Sequence, residues 1–131
     1  MLKGTCHCGQ VNWTLDDDPE SITACNCTTC RRYGALWAYG YVGHSVHVAG
    51  QTETYRRKDG GTIAYHFCPT CGCLTHYVEN ADSKTGKSWT GVNTRMCDPA
   101  AISALPIDHF DGLKSFDDLP RDGRTVADMW F

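Results

Sequence analysis

Cys6-His7-Cys8-Gly9, Cys25-Asn26-Cys27-Thr28-Thr29-Cys30 and Cys68-Pro69-Thr70-Cys71-Gly72 hold seven of the nine cysteines in the chain. Their spacing reads as two metal sites of different character. Four thiolates close a tetrahedral zinc site, whereas three leave one coordination position open for chemistry. The first and third clusters lie about sixty residues apart, yet each offers two cysteines followed directly by glycine. A glycine there lets the backbone turn tightly and point its amides at the sulfurs. Cys6, Cys8, Cys68 and Cys71 are therefore expected to form a closed structural zinc site, pinning the N-terminal segment to a hairpin in mid-chain. A dithiol or buried free thiols are the alternatives. Cys25, Cys27 and Cys30 supply three thiolates and no local fourth ligand, which predicts an exchangeable zinc. Water, a substrate thiol, Cys73 or a histidine are the candidates for its fourth position. The alternatives are a metal-free trio or a closed structural site.

The rest of the composition narrows the class. The length of 131 residues predicts one zinc-binding domain over 1–131. Hydrophobic content of 41% and charged content of 21% are ordinary for a globular protein. The formal net charge is −3 and no basic tract stands out, so a nucleic-acid partner is not expected. No apolar run reaches the length of a membrane span. The stretch from Met1 to Cys6 lacks the apolar core of a signal peptide, and the chain reads as cytoplasmic. In a reducing compartment, closely spaced cysteines mean metal or redox chemistry more often than disulfides. A C-x-C pair is strained as a disulfide but comfortable as ligands, because residues i and i+2 of an extended segment share a face. Tetrahedral zinc places its ligand sulfurs roughly 3.8 Å apart, within reach of such a pair.

The pattern along the chain is mostly β. Strands are expected at 11–15, 21–25, 36–42, 46–48, 53–56, 63–67, 74–78 and 89–96, with a helical turn over 28–33. The third cluster then falls at a hairpin tip. Asp98-Pro99 opens a short capped helix through Leu105, with Asp98 at the N-cap. The tail from Pro106 to the closing Trp130-Phe131 reads as loop-rich. Many short strands with glycine turns predict a mainly β fold of small antiparallel sheets with one or two short helices.

The ordered set Gly4-x-Cys6-x-Cys8-Gly9, Cys25-x-Cys27-x-x-Cys30-Arg31 and Phe67-Cys68-x-x-Cys71-Gly72 resembles the glutathione-dependent formaldehyde-activating enzyme family, which also includes the centromere protein V domain. The resemblance covers roughly residues 4 to 110. It implies a β-tent (Mss-like) zinc fold, with Cys6, Cys8, Cys68 and Cys71 as structural ligands and Cys25, Cys27 and Cys30 holding the zinc linked to activity. It further implies a carbon–sulfur lyase-type activity on glutathione–aldehyde adducts such as S-hydroxymethylglutathione, with two zinc ions per chain and glutathione as cosubstrate.

Beside the ligands, Arg31 and Arg32 follow the third thiolate and are candidates for holding a glutathione carboxylate, since guanidinium suits a carboxylate's geometry. Trp37 or Tyr39 could wall a substrate pocket. Cys73 either completes the second zinc, reacts as a thiol or packs as a small apolar group, and Cys97 is expected in the core. His66 and His76 are structural histidines or proton carriers lining the cleft. Two other function classes compete. One is a non-enzymatic zinc module for a macromolecular partner or a thiol carrier. The other is a redox enzyme like methionine sulfoxide reductase B, against which the C-x-C openings argue.

Overall fold

A computed structural model describes residues 1–130, so Phe131 lies outside the described residues. Its strands are β1 (Leu2–Thr5), β2 (Asn12–Leu15), β3 (Ile22–Cys25), β4 (Leu36–Tyr41), β5 (Val46–Ala49), β6 (Glu53–Arg56), β7 (Ile63–Phe67), β8 (Leu74–Glu79), β9 (Trp89–Asn93), β10 (Ile107–Phe110) and β11 (Asp118–Leu119). The α-helices are single turns, α1 (Cys30–Tyr33) and α2 (Pro99–Ile102), and Thr94–Met96 and Val126–Met129 are 3-10 turns. The fold is mainly β, as the sequence predicts. Among the described residues no helix is long and apolar enough to cross a membrane.

Two sheets carry these strands. The smaller runs β1-β2-β5 and the larger runs β11-β10-β3-β4-β9-β8-β7-β6. The central strand β4 explains how one sheet serves two cores. Leu36, Ala38 and Gly40 alternate onto one face, Trp37, Tyr39 and Tyr41 onto the other. The first face packs toward the small sheet: a Cβ on Gly40 would lie 2.8 Å from Val46 Cγ2. There Trp13, Leu15, Ile22, Leu36, Val92, Ile107 and Val126 form the main core, each full burial contributing about 1.5–3 kcal/mol. The second face meets Tyr65, Leu74 and Tyr77 together with Cys27 and Cys30. The aromatic core and the three-cysteine cluster are thus one packing unit.

Three local expectations are corrected. The strand expected over 89–96 ends at Asn93, because Asn93 Oδ1 accepts from Arg95 N at 3.2 Å and caps a 3-10 turn. The helix after Asp98 is only Pro99–Ile102, although Asp98 caps it by accepting from Ala100 N at 3.0 Å. The tail is not simply loop: β10 pairs parallel to β3, with Phe110 opposite Cys25. Strand β1 has no counterpart in the sequence reading. Its Leu2 and Gly4 alternate inward, but Gly4 gives no hydrophobic signal, since it is the Trp13 ring that fills its side-chain space.

Candidate metal centres

The thiols of Cys6, Cys8, Cys68 and Cys71 lie within 4.8 Å of one another. Cys6 and Cys8 reach this point on the turn after β1, Cys68 and Cys71 on the tip between β7 and β8. Both turns need a left-handed residue just after the second cysteine, and Gly9 (φ +82) and Gly72 (φ +75) supply it. Gly9 N donates to Cys6 O at 2.9 Å and Gly72 N to Cys68 O at 2.8 Å. The sulfurs of Cys6 and Cys8, and of Cys8 and Cys68, are 3.6 Å apart, close to the roughly 3.8 Å edge of a zinc–thiolate tetrahedron. Val11 N donates to Cys6 Sγ at 3.3 Å. Amide donors from Cys73 and Cys8 hold the Cys71 thiol down at about 5. Cys73 packs beside this cluster and does not join the thiols of Cys25, Cys27 and Cys30.

The thiols of Cys25, Cys27 and Cys30 also lie within 4.8 Å of one another. No fourth His, Cys, Asp or Glu joins them among the described residues. Strand β3 delivers Cys25, the following loop carries Cys27, and Cys30 opens α1, which Gly34 ends in a left-handed turn. Cys27 N donates to Cys25 Sγ at 3.4 Å, and Cys30 N to Cys27 Sγ at 3.3 Å. The hydrogen bond from Cys30, helped by the amides of Cys27 and Gly112, brings Cys25 down to about 6. Cys30 is correspondingly pushed up by that same bond and by burial. The trio therefore shares protons that a bound cation would displace. Soft donors, close spacing and amide support make both clusters fit for zinc.

Residues of the tail complete the trio's surroundings. Asn26 N donates to Phe110 O at 3.2 Å, and Asn26 Oδ1 accepts from Leu113 N at 3.0 Å. Asp111 gathers the loop by accepting from Ser115 N at 3.1 Å and Lys114 N at 3.2 Å. These donors, with Asn26 first, pull its carboxyl down to about 2. Gly112 lies directly on the thiols: a Cβ there would sit 2.8 Å from Cys25 Sγ.

In front of the trio opens a cavity of about 570 Å³. Trp37 and Tyr39 line it, as do Tyr65, Tyr77, Trp89 and Phe116. Tyr65 shares a core cluster with Cys30. Next to it is a second cavity, also of about 570 Å³, lined by Arg32, Tyr33, Tyr55 and Lys58. Arg57 and Asp59 line both. Arg31 is exposed and lines neither, while Arg32 donates to Thr28 O at 2.8 Å. His66 and His76 stack with centroids 4.3 Å apart and bond to Thr52 and Thr75. They alternate with Tyr65 and Tyr77, so they sit on the opposite sheet face from the cavity. Cys97 is buried in the main core.

The sequence reading missed Arg57, Tyr65, Tyr77, Trp89 and the loop after β10. Sheet pairing brings them to the trio from distant segments. A glycine at Gly91, whose Cβ would lie 2.3 Å from the Tyr77 ring, is the one local mark of that packing.

Fold and site together define a mainly β protein with two thiol clusters of metal-ligand spacing. Residues 1–104 match the family described as glutathione-dependent formaldehyde-activating enzyme. The chain belongs to that family. A Halomonas elongata protein carrying the same family name is 31% identical over 81 residues, a match covering 54% of this chain and 52% of that one. The chain thus spans about half the length of this curated relative. The crystal structure of a Rhodobacter sphaeroides protein superposes with a TM-score of 0.59 at 28% identity, covering 81% of this chain and 99% of that one. The family match stops before β10, so the tail loop lies beyond it.

Proposed function

We propose that the chain binds zinc at both clusters and acts as a carbon–sulfur lyase-type enzyme on glutathione–aldehyde adducts, forming or cleaving S-hydroxymethylglutathione or a similar conjugate. Cys6, Cys8, Cys68 and Cys71 are the structural ligands, and Cys25, Cys27 and Cys30 hold the exchangeable ion. One observation carries the reading: the trio faces a cavity and, among the described residues, no fourth His, Cys, Asp or Glu joins it.

A zinc ion bound there supplies a cationic position that holds an incoming thiol as its thiolate near neutral pH. The chain's own residues orient the reaction. In the synthetic direction the thiolate sulfur bonds the aldehyde carbon and the carbonyl oxygen takes up a proton. In the reverse direction the hydroxyl gives up that proton, the carbonyl re-forms and the sulfur departs with the bonding pair. Burial pushes the Tyr39 hydroxyl up to about 12. It stays protonated and donates a hydrogen bond to the reacting oxygen. Arg32, Arg57 and Lys58 offer positive charge to glutathione's carboxylates along the neighbouring cavity. Nine free cysteines suit a reducing, cytoplasmic setting.

Cobalt substitution tests this reading. Glutathione added to the cobalt-loaded protein should increase sulfur-to-metal charge-transfer absorption as a fourth sulfur joins the trio. A spectrum unmoved by glutathione, or fewer than two metals per chain after purification without chelator, would contradict it.

A further inference from the structure

A hydroxymethyl group fills little of the cavity before the trio. Its volume, about 570 Å³, lies in the range of roughly 300–1,000 Å³ that encloses much larger ligands. The walls are rings. Tyr39 and Trp89 stack with centroids 5.5 Å apart, and Phe110 meets Phe116 edge-on at 5.0 Å. Phe116 is unusual on two counts. It is 74% exposed, and among the described residues it is the one non-glycine with positive φ, at 60°. A large apolar side chain left in water on a strained backbone is a feature that folding alone does not favour. The Asp111 hydrogen bonds hold the loop that presents it, and Phe116 N itself donates to Asp111 O at 2.8 Å.

Charge on the cavity wall points the same way. Arg57 is the one cation among its lining residues, and it is already paired to Asp59 through Nε at 2.9 Å. Glu79, Asp118 and Asp59 are the acidic lining groups. Beside Glu79 and Asp118 a carboxylate is repelled, and a neutral apolar group is accepted.

We infer that the site selects thiol adducts whose aldehyde-derived substituent is apolar and about the size of an aromatic ring. That substituent lies between Trp89 and Phe116, with Phe116 as the specificity-determining residue. The substrate class is the thiohemiacetal of an aromatic or bulky apolar aldehyde. Cleavage breaks its S–C bond, returns the aldehyde as the hydroxyl proton leaves, and releases the thiolate. The inference rests on the reading of the trio as a thiol-accepting centre.

The test uses cobalt-loaded protein titrated with ethanethiol and with 2-phenylethanethiol, two thiols of similar acidity, the second carrying a ring that stands in for the aldehyde-derived substituent, read by charge-transfer absorption. The aromatic thiol should bind at least about ten-fold tighter, since the ring leaves water for an apolar wall. Phe116→Ala should cut the preference for the aromatic thiol to below about three-fold. Equal binding of the two thiols by the unaltered protein, or a preference that survives Phe116→Ala, would overturn the inference and leave the thiol-accepting centre standing. If neither thiol changes the spectrum, the centre itself is refuted and the inference with it.

Discussion

Asn26 Nδ2 donates to Asp111 Oδ1 at 3.0 Å, joining residues 85 positions apart in the chain. Asn26 is the spacer between Cys25 and Cys27, and Asp111 is the first residue of the loop after β10. The contact clamps the loop of the three-cysteine cluster to the tail, the role that outer partners of metal ligands commonly play. Asn26→Ala should weaken metal retention at the trio by roughly ten- to a hundred-fold. Asn26 is exposed, so the thermal midpoint should fall little. Competition of a chromophoric chelator for the weaker of the two bound metals measures the effect; unchanged retention would mean the clamp is incidental.

Gly112→Ala attacks the same loop by volume rather than by hydrogen bonding. The added carbon would lie 2.8 Å from both Cys25 Sγ and Cys27 Cβ. One neighbour is a proposed ligand and the other is backbone-anchored, so neither can yield without moving the site. Metal content should fall from about two per chain toward one, a stoichiometry that elemental analysis reads directly, while the β-sheet circular dichroism is kept.

The paired glycines after Cys8 and Cys71 made the four-thiol cluster legible from sequence, because both turns require a left-handed residue at that position. The strands around it were legible for a similar reason: Glu53–Arg56 and Ile63–Phe67 are short, alternating and bounded by turn signals. The tail was not. Ile107–Phe110 carries little alternation of its own, and its strand exists because Ile22–Cys25 offers a parallel edge. The cavity walls were half legible. Trp37 and Tyr39 follow the trio in sequence, but Tyr65, Tyr77 and Trp89 arrive through strand register, which no local pattern encodes.

Cys68→Ser and Cys27→Ser should behave differently. Cys68 is fully buried and its cluster ties the turn after β1 to the β7–β8 tip. Structural zinc contributes on the order of 10 kcal/mol in small domains, so Cys68→Ser should yield little folded protein. Cys27→Ser should stay folded and lose its exchangeable metal. Thermal melts with metal analysis on both variants decide the matter, and equal unfolding would remove the distinction between the clusters.

Burial, reinforced by His66, lowers His76 from its ordinary 6.5 to about 3. Between those values the unfolded chain binds a proton at this residue and the folded chain does not. Stability at His76 is therefore fully present above pH 6.5 and declines as pH falls through the window, by up to about 1.4 kcal/mol per unit. His76→Asn should flatten that part of the pH profile. Denaturant midpoints of both proteins from pH 7 to 4, at fixed zinc, give the difference, in which the thiolate contributions common to both cancel.

Arg57 is the cation best placed to read a substrate, because it alone among the basic residues lines both cavities. Its bidentate pairing with Asp59 orients the guanidinium, and its side chain is 31% exposed, leaving a face for a ligand carboxylate. A hydrogen bond to a charged group is worth about 1.5–3 kcal/mol when its partner is lost, or roughly ten- to a hundred-fold in affinity. Arg57→Ala should weaken glutathione by that factor in the cobalt titration and leave 2-mercaptoethanol, which has no carboxylate, nearly unchanged. A loss shared equally by both thiols would show instead that Arg57 shapes the loop beside the trio, since 2-mercaptoethanol has no carboxylate for it to hold.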